Sequence, residues 1–487
     1  MRTARNLLLG FVLVACKGSS GEVSTTGASL DDLPSAPTIV LPGRPPGACW
    51  TLLDAEEPDT LRAIPERRFV FASARGGLVL ADVAGVAPIT RPLTQSDGAP
   101  LGVFVRGDLA LVVFAPSSAP ATTVARAVSI AGGHEGRRIG EVTLDGRARD
   151  VRRAGESIVV TRDLGDSTVM TALVLEARGL VPKDEVRLAG SGSRVGGSPL
   201  GLAVARPAGT PGRSVVSWVD VDPDEPGRLH VRGTLDVRGM LPRWRSVRDA
   251  PIDVSEDAVV RFLACTTAAC AAGEDSLYTA LDFGRPATPR LLASTRIAPG
   301  GEDAYRFFGE GLVIARAPAG GAQTDATDLV FFRARPTLSS FGSVRVAGVV
   351  ASLALRGDDI FALGATRSQG GGRRAVVHRL RAEPTPRPLG SASLGADGSW
   401  SAADDAVPMS FDPGQSLAAV ALTSAGAQGR SAVAILSVSP GSIRVETELP
   451  AEEIERIALV DGRAFVFSAS GVRSTEVRPA DELPPAR

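Results

Sequence analysis

An all-β fold assembled from tandem four-stranded units is predicted by three features of the chain. From about residue 66 onward the texture is constant, with short Val/Leu/Ala/Phe runs separated by Gly, Asp and Pro turns. Strands at such close spacing, without long helical periodicity, mark an all-β chain. One unit also recurs: an apolar strand turns through a Gly/Asp/Glu pair and re-enters as a second strand. Finally, that second strand is apolar at consecutive positions, as in Leu109 to Phe114 ("LALVVF"), so both of its faces are destined for burial.

The copies read "VFVRGDLALVVF", "VRRAGESIVVTR", "VSEDAVVRFLA", "RFFGEGLVIAR", "LALRGDDIFALGA", "SFDPGQSLAAVAL" and "IALVDGRAFVFSA". Their turns lie near Gly107, Gly155, Asp257, Gly309, Gly357, Gly414 and Gly462, and a weaker copy near Leu200 fills the widest gap. Each unit adds a third and a fourth strand, as in "ARAVSIAG" followed by "RIGEVTL". Four strands every 45 to 57 residues is the signature of a β-propeller. A β-sandwich array would instead group its turns by seven strands. Eight four-stranded blades are expected, with seven or nine also compatible. The first unit, "PERRFVFASARGGLVLADV", lacks a clear first strand and the last lacks a clear fourth, so the two halves are expected to complete one shared closing blade. Only "WTLLDAEEPDTLRAIPE" and "AEEIERIAL" have room for a helical turn or two.

Ahead of the repeats the chain has a different character. Arg2 and Arg5 precede an apolar run from Leu7 to Ala15, about half the ~20 residues that cross a hydrocarbon core. The run ends in Leu13-Val14-Ala15-Cys16, which resembles the lipobox of bacterial lipoproteins. That resemblance implies a signal peptide over 1–15 and a lipid on the sulfur of Cys16. It also implies that Lys17, standing where aspartate retains such proteins at the inner membrane, favours the outer membrane. Residues 16–47 are rich in Gly, Ser, Thr and Pro, with few large apolar side chains to bury, and read as a flexible tether. The propeller domain is assigned to 48–487.

Composition narrows the partners. With 53 Lys+Arg against 54 Asp+Glu, the chain carries no net field to attract nucleic acid. Besides Cys16 there are Cys49, Cys265 and Cys270. An exported chain meets oxidising conditions, so a bridge is expected. Cys265 and Cys270 flank "TTAA" at a hairpin tip and are the expected local pair, leaving Cys49 unpaired; the alternative joins Cys49 to one of them. Their C-x4-C spacing has no second ligand pair to complete a zinc site.

The order of units, with "GAPLGVFVRGDLALVVFA" early, "ALDFGRPATPRLLASTRI" in the middle and "IERIALVDGRAFVFSASGVRSTEV" last, is similar to secreted bacterial proteins with a C-terminal β-propeller distantly related to WD40 repeats. Such proteins carry an aromatic-, His- and Asp-containing stretch before the penultimate unit. The corresponding "GSWSAADDAVPMSFDP" keeps Trp400, Asp404, Asp405 and Phe411 without a histidine. The resemblance implies a fold and export, and no reaction.

No catalytic constellation emerges. His134-Glu135 begins like H-E-x-x-H, but position 138 is Arg138. His230 and His378 read as solvated strand residues. "GSGSRVGG" is misspaced for a phosphate-binding loop and reads as a plain loop. Asp220, Asp222 and Asp224 in "DVDPDEPG" have calcium-loop spacing but lack the sixth-position Gly and twelfth-position Glu, so a hairpin turn is expected. Asp404 and Asp405 are adjacent, and adjacent strand residues point to opposite faces. No G-x-S-x-G elbow occurs. The expectation is a lipid-anchored envelope propeller without cofactor, metal or catalysis, binding another protein through loop-lined faces. The alternatives are a propeller hydrolase or quinone-dependent oxidoreductase, and a structural component of an outer-membrane assembly complex.

Overall fold

The computed structural model describes residues 60–477 apart from short internal stretches, the longest being 241–251, 267–274, 298–303, 317–324, 403–408 and 425–430. Within these bounds the chain folds into 36 strands in nine sheets. It is an all-β propeller of nine blades, spanning 61–94, 98–145, 147–189, 194–238, 252–297, 305–347, 349–394, 400–451 and 456–476. Blades 1 to 7 are four-stranded antiparallel sheets in chain order. In blade 8 the short strands Trp400–Ala402 and Met409–Phe411 both pair with Leu417–Ser424. Blade 9 has three strands among the described residues.

Alternation along each second strand builds the ring. In Leu109–Pro116 of blade 2, Ala110, Val112 and Phe114 pack against blade 1, while Leu111 and Val113 pack against blade 3. A two-residue period therefore feeds two cores at once, and this explains why the strand is apolar throughout. Nine such cores lie between successive blades, and the ninth joins blade 9 to blade 1. First strands of successive blades adjoin around the centre, and fourth strands form the more exposed rim. No helix among the described residues is long and apolar enough to cross a membrane.

The closure differs from the expected shared blade. Leu61–Ile64 is the missing first strand, paired with Arg68–Ser73, so blade 1 is complete without help from the other end of the chain. The ring shuts by face-to-face packing. Phe69 and Phe71 of blade 1 meet Phe467 of blade 9 at centroid distances of 5.5 and 5.3 Å, and Phe69 also meets Phe465 at 5.9 Å. Arg463 of blade 9 donates to the carbonyls of Val83 and Gly85 at 2.9 and 2.8 Å. Nine blades replace the expected eight because two incomplete halves are two separate sheets. Of the two segments with room for a helical turn, the described parts Leu61–Ile64 and Arg456–Val460 are strands. A four- or five-residue segment shows no decisive period, and a free neighbouring edge decides its state.

Gly107 and Gly155, in the turns between first and second strands, have φ of +54° and +59°, and a Cβ on either would touch nothing. Glycine is there for its backbone conformation. The corresponding turn of blade 5 places Ala258 at φ +60° and braces it with Ser255, whose Oγ accepts from Val259 N at 3.1 Å and donates to Asp257 at 2.5 Å. Part of "GSGSRVGG" is a strand, correcting the plain-loop reading. Arg194–Ser198 is the first strand of blade 4. A Cβ at Gly196 would lie 2.7 Å from Ile252 Cγ2 and 2.8 Å from its carbonyl oxygen. Glycine here admits the neighbouring blade rather than making a turn.

Candidate functional site

The turns joining first to second strands converge on one mouth of the ring, and the repeat places a carboxylate there again and again. Asp108, Glu156, Glu310 and Asp358 each follow the turn glycine, and Asp257 occupies the corresponding turn of blade 5. Arginines tie these turns together. Arg106 pairs with Glu156 of the next blade. Arg153 Nε donates to Gly155 O at 3.1 Å. Arg261 is buried, donates to Asp253 at 2.5 Å and to Gly309 O of the next blade at 2.7 Å, and lies over the Phe307 ring. The mouth is thus rigid in backbone, with Asp108, Glu310 and Asp358 exposed. Carboxylates set singly on five of the nine blades have no shared reacting centre. Their arrangement suits recognition of cationic groups by a surface.

A second polar feature lies inside the interfaces between blades. In blade 3, the Arg162 guanidinium donates to Thr171 Oγ1 at 2.6 Å and Glu185 Oε2 at 2.8 Å, one residue from each of the second, third and fourth strands. In blade 2 the corresponding third- and fourth-strand pair is Arg126 and Glu141, 2.5 Å apart. Third-strand hydroxyls also hold the links between blades: Thr123, Thr168, Ser214 and Thr327 donate to the carbonyls of Gly146, Gly190, Gly239 and Gly348 at 2.7–2.8 Å. Their separations of 23, 22, 25 and 21 residues form a Thr/Ser-to-Gly spacing. That signal is written in the sequence but hidden there among 54 glycines.

The residues singled out in the sequence fall in separate places. Cys16, Cys49 and Cys270 lie outside the described residues, as do Asp404 and Asp405. Cys265 ends the strand Val259–Cys265, and no cysteine among the described residues is free. Phe411 packs against Phe361 with ring centroids 4.9 Å apart. His134 sits in the loop between third and fourth strands of blade 2. The "DVDPDEPG" stretch is a hairpin turn, as expected. Asp222 accepts the backbone N–H groups of Asp224 and Glu225 at 2.9 and 3.1 Å and faces His230 Nε2 at 3.4 Å. Asp220 is engaged elsewhere, by Trp218 Nε1 at 2.5 Å and Arg232 at 2.8 Å; burial raises its pKa despite these donors. Among the described residues no group of three or more His, Cys, Asp or Glu is placed to hold a metal.

His378 departs from the solvated position expected of it. It is 7% exposed and its Nε2 lies 2.7 Å from Ala347 O of the neighbouring blade. A carbonyl only accepts, so Nε2 carries the proton. Burial lowers the imidazole pKa below its ordinary 6.5, outweighing the carbonyl contact. The neutral ring's contribution is complete above the unfolded value and is lost as pH falls through it, because the unfolded chain takes up the proton first. Thermal stability is expected to fall as pH drops below about 6.5, by at most about 1.4 kcal/mol per pH unit from this group. His378→Gln should flatten that limb of the profile; an unchanged slope would show that another group sets it.

No family model matches the chain, and no curated protein is similar to it. Among solved structures it is similar to a protein from Lactobacillus plantarum, at 10% identity over 84% of this chain and 99% of that one, with a TM-score of 0.42. It is also similar to a functionally unknown protein from Desulfotomaculum acetoxidans, at 11% identity over 73% and 96% of the two chains, with a TM-score of 0.37. A structure described as the eukaryotic initiation factor gives 11% identity, 81% and 87% coverage and a TM-score of 0.45.

Proposed function

We propose that this chain is a lipid-anchored propeller of the bacterial cell envelope, related to the WD40-like secreted propellers, that binds another protein without catalysis. The recurring carboxylates at the mouth formed by the first-to-second-strand turns carry the reading. Three of them, Asp108, Glu310 and Asp358, are exposed on the ring, and a partner that fits them presents lysine and arginine. Cys16 holds the lipid, Lys17 directs the protein to the outer membrane, residues 16–47 are the tether, and Cys265 is bridged to Cys270. Rigidity of the ring supports binding, since a preformed surface loses little conformational entropy on association.

Two measurements test this together. Cys16→Ser should move the protein out of the membrane fraction, and unchanged retention would remove the anchor. Photocrosslinking in cells from a probe placed singly at position 108, 310 or 358 should trap a protein partner, and reversing the other two carboxylates to lysine should abolish the adduct while leaving the fold intact. Equal trapping from the fourth-strand position 291, on the outer rim of blade 5, would place the contact elsewhere.

A further inference from the structure

Blade 4 repeats the buried arginine of blade 3 and omits its counter-charge. Arg162 and Arg206 stand at the same point of their sheets. Each is opposite the residue two places before a third-strand hydroxyl, Thr171 in blade 3 and Ser217 in blade 4, and in both blades the strand register shifts just beyond that hydroxyl. Both guanidiniums donate through Nη2 to it, at 2.6 Å for Thr171 and 3.1 Å for Ser217. The next residue across the sheet is Glu185 in blade 3, which accepts from Arg162, and Thr234 in blade 4.

Arg206 is 4% exposed, and its Nε and Nη1 are buried with no acceptor. Burial lowers its pKa, with no carboxylate opposing that effect. A second orphan lies beside it. In continuation of the register that pairs Arg194 with Ala205, Ser193 falls opposite Arg206, at the ~5 Å separation of cross-strand neighbours. Ser193 is 1% exposed and its Oγ is buried without a partner. Alternation puts Ser193 and Arg206 on the side of the sheet that carries Val195 and Val204 into the interface with blade 3. The 190–193 link closes over them: a Cβ on Gly190 would stand 3.7 Å from Arg206 Cβ.

A guanidinium shut away from water without a counter-charge is among the most costly arrangements a fold can hold. We propose that blades 3 and 4 enclose a small inorganic anion of the halide class, held by Arg206 Nε and Nη1 and the Ser193 hydroxyl, which supplies the negative charge that Glu185 supplies to Arg162 from the fourth strand. A halide suits the site because it accepts from several donors without directed lone pairs and occupies little volume. Its role is to complete the blade 3–blade 4 interface, which makes the ring's stability depend on the anion.

The test uses the folded propeller in chloride at constant ionic strength, with gluconate as the bulky replacement, and bromide as the crystallographic probe. Wild-type melting temperature should rise with chloride by about 1.5 °C for each tenfold increase above saturation. Thr234→Glu, which installs the carboxylate of blade 3, should melt independently of chloride and above the wild type in its absence. Arg206→Met should likewise lose the dependence. A crystal soaked in bromide should show an anomalous peak beside Arg206 and Ser193, absent in Thr234→Glu. A chloride-independent wild type, an undiminished slope in Thr234→Glu, or no bromide beside Arg206 would each overturn the site. Should Arg206→Met fail to fold, the other two measurements decide.

Discussion

Deletion of residues 454–477 is expected to destroy the whole propeller and not merely its last blade. The segment carries blade 9, which covers two neighbours. Toward blade 8 it packs Ile457, Leu459 and Ala464 over Leu417, Ala419, Val433 and Ile435. Toward blade 1 it packs Ala458, Phe465 and Phe467 over Phe69, Phe71 and Ala81. Truncating one buried phenylalanine costs about 3–5 kcal/mol, and here two are lost with their aliphatic neighbours. The sum approaches or exceeds the roughly 5–15 kcal/mol that holds a typical domain folded. The two uncovered blades would also present apolar sheet faces to other chains. We expect the truncated protein to be insoluble, or to melt far below the full-length chain with loss of near-UV circular dichroism. An open array would respond differently, because its end unit touches a single neighbour and its loss is local. A soluble, cooperative product with a near-unchanged melting temperature would exclude the closed ring.

Trp218→Ala is expected to be the most damaging single change at the blade 4–blade 5 interface, at about 3–5 kcal/mol. The indole is 1% exposed and stacks on Phe283 of the next blade, with ring centroids 5.6 Å apart and planes at 21°. A Cβ on Gly201 would come within 2.9 Å of it, so the backbone of blade 4 is shaped around the ring. Its Nε1–H donates to Asp220 at 2.5 Å, and Asp220 is itself desolvated. Removing the indole would therefore open a cavity and withdraw a donor from a buried carboxylate. Trp218→Phe separates the two effects: it retains stacking and loses the donor, with an expected cost of about 1–2 kcal/mol. Urea unfolding of both variants measures them. Equal losses would assign the whole effect to the Asp220 contact.

How far the sequence was legible depends on the range over which each signal acts. The turn glycines were readable because a positive φ excludes most other residues locally, whatever the rest of the chain does. Burial of both faces of Leu109–Pro116 was readable because side-chain alternation is a property of the strand itself. Gly196 was misread because its reason is Ile252, 56 residues away on the next blade (252 − 196 = 56). His378 was misread for a similar cause: the carbonyl that holds it belongs to the preceding blade, 31 residues back along the chain. The relation of Arg206 to Arg162 is invisible without register. Only pairing shows that Thr234 occupies the place of Glu185.

By itself the sequence determined the four-stranded unit, its tandem repetition, and the mixture of apolar and turn residues that makes the described repeats β. Those are consequences of two-residue periodicity and of turn chemistry, both written within a few positions of each residue. The tertiary structure decided the number of blades and the manner of closure. "LRAI" has too few residues to declare itself a strand, and becomes one by pairing with Arg68–Ser73. The Phe69, Phe71, Phe465 and Phe467 seam exists only when residues nearly 400 apart along the chain meet (465 − 69 = 396). Hydrophobic burial has no direction of its own. Which apolar face covers which was settled by the geometry of the ring.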